Sequence, residues 1–204
     1  MKEVQLEDPA MQIKQVFSTY DVKENAHHGQ FKYCPICGTQ LSSKEKGGKQ
    51  RPACPKCGYV QFQNPVPGVV VVIEKDGQVL LGKRSGSFGK GKWGLPQGYI
   101  EFEEDFLTAA IREVKEETGL DVEIRSILNV VSNFLAPRLH TLAIILLAGV
   151  EAGEPCAADD LETLEWFPLS GPLPEMAFEA DEFIIRRVQK TKLDGGLPVD
   201  PDFA

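Results

Sequence analysis

The segment from residue 106 to residue 118 constrains this chain most, because it has helical periodicity but breaks two rules of helix stability. Its apolar residues recur at helical spacing, and Gly119 stands where a helix usually ends. Glu113, Glu116 and Glu117 share one face, where like charges repel, near the end at which the helix dipole disfavours anions. Clustered carboxylates are what hard divalent cations require. We predict a magnesium or manganese site there, with a solvated acidic face as the alternative.

The helix lies within a longer pattern of residues. This pattern reads Gly98-x5-Glu104-x7-Arg112-Glu113-Val114-x-Glu116-Glu117-x-Gly119-Leu120. It resembles the complete signature of the Nudix hydrolases. The resemblance implies an α/β fold, an α/β/α sandwich with a mixed sheet, over residues 61–192. It also implies hydrolysis of a nucleoside diphosphate joined to another moiety.

The resemblance also implies roles for the residues of the pattern. The three helix glutamates would bind the catalytic divalent ions, and the carbonyl of Gly98 would be a further ligand. Arg112 would orient the glutamates through an ion pair, and Glu104 would buttress the site. In this family the metal ions neutralise the phosphate oxygens, and a carboxylate takes the proton of the attacking water.

Two further sets of polar residues are candidates for the site. Resembling enzymes take the catalytic base either from the motif helix or from a later loop. Glu162, just before the last predicted strand, is the loop candidate, with Asp159 and Asp160 as alternatives.

Arg84, Lys90 and Lys92 precede the motif in a loop rich in glycine and lysine. We predict that they meet substrate phosphates, with a mobile surface loop as the alternative.

The cysteines predict a second, smaller module. Four of the five form two knuckles of the pattern CxxCG, at Cys34 and Cys37 and at Cys54 and Cys57. Each knuckle can present two thiolates to a tetrahedral zinc ion. Because so short a segment buries little apolar surface, the metal would supply most of its stability. We predict a closed, structural zinc ribbon over residues 31–60, with disulfides or free thiols as the alternative.

A four-cysteine ribbon beside such a domain is similar to NADH pyrophosphatases and to relatives that act on ADP-ribose or FAD. NADH pyrophosphatases carry a segment like SQPWPFP after the motif, whereas residues 132–138 of this chain read SNFLAPR. We therefore expect ADP-ribose, FAD or a related dinucleotide, with NADH as an alternative. Gln97 stands where many members have glycine, which keeps dinucleoside polyphosphates open.

The remaining patterns define the surroundings of these modules. Residues 1–30 predict a short amphipathic helix and a linker, and residues 193–204 predict a frayed tail. Extended patterns occur at 68–74 and 78–83, joined by a tight turn at Asp76 and Gly77, and at 122–134, 139–150 and 164–167. A final helix is predicted from about 175 to 191.

Charge and hydropathy limit the partners. No apolar stretch is long enough to span a bilayer, and paired cysteines without a signal peptide favour a cytoplasmic protein. The net charge is −8, although residues 31–58 carry a net +5. We expect a small nucleotide substrate, no membrane, no nucleic acid, and a possible homodimer through the ribbon. A nucleotide-sensing regulator that binds nucleic acid through the basic ribbon is the alternative.

Overall fold

The computed structural model describes residues 31–86, 88–136, 139–191 and 197–198. The predicted N-terminal helix and most of the predicted tail lie outside these residues. Neither of the two helices in the described part is long and apolar enough to cross a membrane.

The cysteine-rich segment forms a two-stranded hairpin flanked by the two knuckles. Strand β1 (Ser42–Lys46) pairs antiparallel with β2 (Lys49–Ala53). Gly47 and Gly48 form the turn with φ values of 62° and 72°. Both values lie in the left-handed region, which suits the tight two-residue turns that match strand twist.

A mixed sheet of eight strands forms the body of the molecule. Its strands are β3 (Val66–Lys75), β4 (Gln78–Arg84), β5 (Trp93–Gly94), β6 (Gln97–Tyr99), β7 (Asp121–Ala136), β8 (Leu139–Ala152), β9 (Leu161–Pro168) and β10 (Leu197–Pro198). The order is β10-β7-β8-β3-β4-β5, with β6 also paired to β3 and β9 to β4. Strands β3 and β8 are parallel, and the other pairs are antiparallel.

Two helices cover the two faces of this sheet. Residues 69–73 of β3 are apolar without interruption because both faces of the strand are buried. Val69, Val71 and Ile73 belong to the core cluster that includes α1 (Phe106–Thr118). Val70 and Val72 belong to the cluster that includes α2 (Glu179–Thr191). The predicted α/β/α sandwich with a mixed sheet is therefore confirmed.

The long helices and strands agree with the predictions from the sequence, whereas the shortest strands were not predicted. Helix α1 has the predicted bounds and ends at Gly119, whose φ of 73° is the left-handed conformation of a helix C-cap. Asp76 and Gly77 form the predicted turn. Strands β5 and β6 were not predicted. Helix α2 begins at Glu179 rather than near residue 175, and residues 197–198 of the predicted frayed tail pair with β7.

Candidate active site

A cavity of about 340 Å³ lies beside the amino-terminal half of β3 and the last turns of α1. Six carboxyl groups line it, those of Glu101, Glu113, Glu117, Asp159, Asp160 and Asp181. Four of these residues interact with one another, Glu113 with Asp159 and Glu117 with Asp160, and the part of the cavity that they line is here called its acidic end. One guanidinium, that of Arg84, is the only cationic side chain among the described lining residues. The rest of the lining is largely apolar and aromatic. One cavity therefore combines acidic groups with apolar and aromatic side chains.

The motif strand and the motif helix meet at Gly98 and Glu113. Gly98 pairs with Val69 in the sheet, and this pairing brings its backbone against α1. A Cβ atom at residue 98 would lie 2.0 Å from Cδ of Glu113. Only glycine therefore leaves room for this carboxylate at the cavity. Burial raises the pKa of Glu113.

Arg112 holds the outer part of the motif together. Its Nη1 donates to both Glu113 and Glu116, each over 2.9 Å. Its Nε donates to Glu104 over 3.0 Å, and its Nη2 donates to the carbonyl of Tyr99 over 3.1 Å. These bonds lower the pKa of Glu104 and raise that of Arg112. Arg112 thus contacts Glu104, Glu113 and Glu116 together, and the orienting and buttressing roles that the resemblance implies for Arg112 and Glu104 stay predictions.

Glu117 lies deepest in the acidic end. It is 1% exposed, and one of its carboxylate oxygens accepts a 2.9 Å hydrogen bond from the backbone N–H of Gln97. Burial and then the neighbouring Asp160 carboxylate raise the pKa of Glu117 to about 9. Two facing carboxylates in a buried site retain a proton unless a cation lies between them. Oδ1 of Asp160 is itself buried without a hydrogen-bond partner among the described atoms.

Arg84 forms an ion pair with Asp160. Its Nη2 donates to Oδ2 of Asp160, and its Nε donates to the carbonyl of Phe88 over 2.9 Å. Its guanidinium carbon lies 5.5 Å from the ring centroid of Phe178. The side chain is only 7% exposed. Arg84 thus lines the cavity, and its contact with substrate phosphates stays a prediction.

Asp181, on α2, is a buried member of the site that the sequence patterns did not reveal. Its Oδ2 accepts a 3.0 Å hydrogen bond from the backbone N–H of Leu95. Burial raises its pKa to about 7, an effect that Arg84 partly offsets. An acidic residue in the first turn of a helix normally suits the dipole, so nothing in the sequence distinguishes Asp181 from its neighbours.

Six residues predicted for the active site lie outside the cavity lining: Glu104 and Arg112, described above, and Glu116, Glu162, Lys90 and Lys92. Glu116 is 53% exposed at the rim, where it binds Arg112. Glu162 lies on β9 and pairs with the side chain of Lys83 over 3.1 Å. Lys92 pairs with Glu175 over 2.8 Å, and Lys90 is exposed. Of the three loop carboxylates considered, the structure brings Asp159 and Asp160 to the cavity.

The four knuckle cysteines form a separate cluster. Their sulfur atoms all lie within 4.8 Å of one another, and the pairs Cys34–Cys57 and Cys37–Cys54 are each separated by 3.5 Å. Four sulfurs bound to one zinc at 2.3 Å lie about 3.8 Å apart, so the cluster has the size of such a site. The thiol pKa values shift in opposite directions within the cluster: hydrogen bonding with Thr39 lowers the pKa of Cys37 to about 6, whereas the pKa of Cys57 is raised.

Comparison with known proteins agrees with the fold and the motif. The model of the NUDIX domain family matches residues 64–187. The chain therefore belongs to the Nudix family of hydrolases. In the structure, the helical part of this family's signature is α1, which brings Glu113 and Glu117 to the cavity.

Individual relatives have more specific descriptions. The chain is 39% identical over 127 residues to an ADP-ribose pyrophosphatase of Methanocaldococcus jannaschii, which covers 62% of this chain and 75% of that protein. It is 30% identical over 152 residues to the NAD-capped RNA hydrolase NudC of Pseudomonas aeruginosa, which covers 73% of this chain. The chain spans 52% of that NudC protein. A NUDIX hydrolase structure from Nitrosomonas europaea matches with 26% identity and a TM-score of 0.70, over 83% of this chain and 97% of that one.

Proposed function

We propose that the chain hydrolyses the pyrophosphate bond of a nucleoside diphosphate linked to another group, with ADP-ribose, FAD or a related dinucleotide as substrate. The observation that carries this proposal is the convergence of Glu113, Glu117 and Asp160 at the acidic end of one cavity. NADH and dinucleoside polyphosphates remain the alternative substrates. The similarity to an ADP-ribose pyrophosphatase supports ADP-ribose as the first compound to test.

The acidic end fits magnesium or manganese. Six carboxyl groups and one guanidinium line the described cavity, so an anionic diphosphate would be repelled without cations. All the acidic donors are oxygens, which hard divalent ions prefer. The unpartnered, buried Oδ1 of Asp160 faces this donor set. We propose that Glu113, Glu117 and Asp160 hold the ions, with Glu116 and the carbonyl of Gly98 as the further ligands that the family resemblance implies.

Such ions, when bound, neutralise the phosphate oxygens and lower the pKa of the attacking water. The chain's own groups orient the carboxylates and accept the proton of the attacking water. Arg112 keeps the carboxylates of Glu113 and Glu116 oriented, and Arg84 keeps Asp160 oriented. We propose that a loop carboxylate, Asp159 or Asp160, takes the water's proton. Glu162 is not proposed as the base, because it lies on β9 outside the cavity lining and pairs with Lys83 of β4.

The apolar part of the cavity lining suits the uncharged parts of the substrate. Val131, Leu135, Ala143 and Ile145 line the cavity with apolar side chains. The aromatic side chains that line the same cavity are Phe88, Tyr99 and Phe178. A nucleobase presents a flat apolar face to such a surface. A nucleotide could therefore place its base here while its diphosphate reaches the carboxylates.

We also propose a structural zinc ion at Cys34, Cys37, Cys54 and Cys57. The two knuckles have the same backbone bonds: Gly38 donates to the carbonyl of Cys34, and Gly58 donates to that of Cys54. Four protein sulfurs complete a tetrahedral shell, so no position remains for a reacting water. The ion would hold the ribbon rather than take part in hydrolysis. The cytoplasmic location and the homodimer remain predictions.

A substrate panel tests the catalytic proposal. ADP-ribose, FAD, NADH and diadenosine polyphosphates are each incubated with Mg²⁺ or Mn²⁺, and release of nucleoside monophosphate is measured. We expect turnover of at least one compound and its loss in Asp160→Asn. Glu162→Gln is the matched control and should retain activity within about twofold, because it removes only an exposed ion pair. Loss of activity in Glu162→Gln with none in Asp160→Asn or Asp159→Asn would contradict the assignment of the base.

A further inference from the structure

The hairpin of β1 and β2 distributes its charges unevenly between its two faces. In antiparallel strands, directly paired residues point to the same face, as do residues two positions apart. Lys44 pairs with Arg51, and Lys46 pairs with Lys49, so all four cations lie on one face, here called the basic face. Glu45, the only acidic residue of the two strands, lies on the opposite face.

This arrangement does not help the hairpin to fold. Like charges placed directly opposite each other destabilise a strand pair. Lys44, Lys46 and Lys49 are exposed and Arg51 is half-buried, so the cations cover little apolar surface. In residues 31–86, 88–136 and 139–191, no carboxylate forms an ion pair with any of the four. The basic face therefore presents uncompensated positive charge.

An aromatic surface adjoins the basic face. The guanidinium carbon of Arg51 lies 4.7 Å from the ring centroid of Phe62, and Phe62 is 53% exposed. Phe31 is 50% exposed, and its backbone N–H donates to the side chain of Gln61 over 2.8 Å. The ring of Phe62 thus lies beside Arg51, at the edge of the four cations, and the backbone of Phe31 is bonded to Gln61, the residue before Phe62.

From these features we infer that the basic face and Phe62 bind a single-stranded polynucleotide. Cations spaced along a strand match a repeating phosphate backbone, and exposed rings stack on bases that a single strand leaves accessible. A duplex hides its base faces, and a membrane offers no rings to stack. This inference revises the sequence-based expectation of no nucleic-acid partner, because the strand register places the positive charges together. It does not depend on the proposed hydrolysis.

Salt-dependent binding of a labelled oligonucleotide tests the inference. The full chain, with its metal content measured, is titrated against a short fluorescein-labelled uridine oligomer, and fluorescence anisotropy is followed. If all four cations engage phosphates, the logarithm of the binding constant should fall against the logarithm of salt concentration with a slope of about −2.8. That slope corresponds to about 50-fold weaker binding between about 50 and 200 mM salt.

Matched variants separate the basic face from overall charge. Lys44→Gln with Lys49→Gln should reduce the slope to about −1.4. Lys75→Gln with Lys190→Gln removes the same charge at two exposed positions elsewhere and should leave the slope unchanged. Phe62→Leu should weaken binding by at least about fivefold, because it removes the stacking ring. Circular dichroism and metal content confirm that each variant is folded.

The inference fails if both double variants bind the oligomer equally, since binding would then reflect net charge. It also fails if duplex DNA binds as tightly as the single strand. Binding to phosphatidylserine vesicles without binding to the oligomer would assign the face to a membrane instead.

Discussion

A single methyl group at residue 98 would disturb the acidic end of the cavity without removing a carboxylate. A Cβ there would lie 2.0 Å from Cδ of Glu113 and 2.1 and 2.2 Å from its two oxygens. Since non-bonded carbon atoms approach to only about 3.5 Å, the carboxylate must move by on the order of 1 Å. A misplacement of about 1 Å can reduce catalysis about 10²-fold. Gly98→Ala should therefore lower kcat/KM about 10²-fold, which corresponds to about 2.7 kcal/mol.

The same substitution should leave the fold almost unchanged. The φ of Gly98 lies outside the left-handed region, so alanine can adopt this backbone, and the displaced atoms end a flexible side chain. We expect a loss of unfolding free energy of about 1 kcal/mol, at the low end of the range of about 1–3 kcal/mol that overpacking costs, measured by urea denaturation. Gly171→Ala is the control, because its Cβ would approach no described neighbour closer than 3.4 Å and residue 171 lies outside the cavity lining.

Binding of Mn²⁺, followed by electron paramagnetic resonance, separates the two effects. Gly98→Ala retains the carbonyl of residue 98, so weaker Mn²⁺ binding would report the displaced Glu113 carboxylate. A Gly98→Ala protein that binds Mn²⁺ and turns over substrate like the wild type would refute this reasoning.

Three further predictions concern other parts of the structure. Arg84→Gln leaves the Asp160 carboxylate without its buried partner and should lower the unfolding free energy by about 3 kcal/mol in urea, whereas Lys83→Gln, at an exposed pair, should lower it by less than about 1 kcal/mol. Cys54→Ser should lose the bound zinc, measured by elemental analysis, and a variant with full zinc content would contradict the ribbon site. The folded-state pKa of Asp181 is about 7, raised from its ordinary 3.8, so the folded protein holds a proton that the unfolded chain loses between these values. Its contribution to stability is therefore present below pH 4 and lost as pH rises to about 7. The fall in unfolding free energy over this range, measured in urea, should be smaller in Asp181→Asn than in the wild type, and the remaining fall comes from Glu117, whose pKa is also raised.

The features that the sequence predicted are those encoded over short stretches. Helix α1 is determined by local periodicity and by a glycine that permits its left-handed cap, so its bounds could be predicted. The motif glutamates and the cysteine knuckles likewise depend on spacing within a few residues. Strands β5 and β6 are two and three residues long, and they exist because they pair with β4 and β3. Such strands have no periodicity of their own.

The contact between Arg84 and Asp160 could not be predicted from the sequence, because it joins distant parts of the chain. Arg84 and Asp160 are separated by 76 positions, and they meet because β4 pairs with β9. That pairing also decides which loop carboxylates reach the cavity: Asp160 precedes β9, whereas Glu162 is part of the strand and faces Lys83. A choice between carboxylates two positions apart depends on strand register, which a single sequence does not specify.

The products formed from ADP-ribose test the central claim most directly. The wild-type chain and Glu117→Gln are incubated with ADP-ribose and Mg²⁺, and the products are separated by ion-exchange chromatography. We predict equal amounts of AMP and ribose phosphate from the wild type and at least about 10²-fold slower release from the variant. Undiminished release by Glu117→Gln would contradict the account, as would failure of the wild type to cleave this or any other pyrophosphate-linked nucleotide.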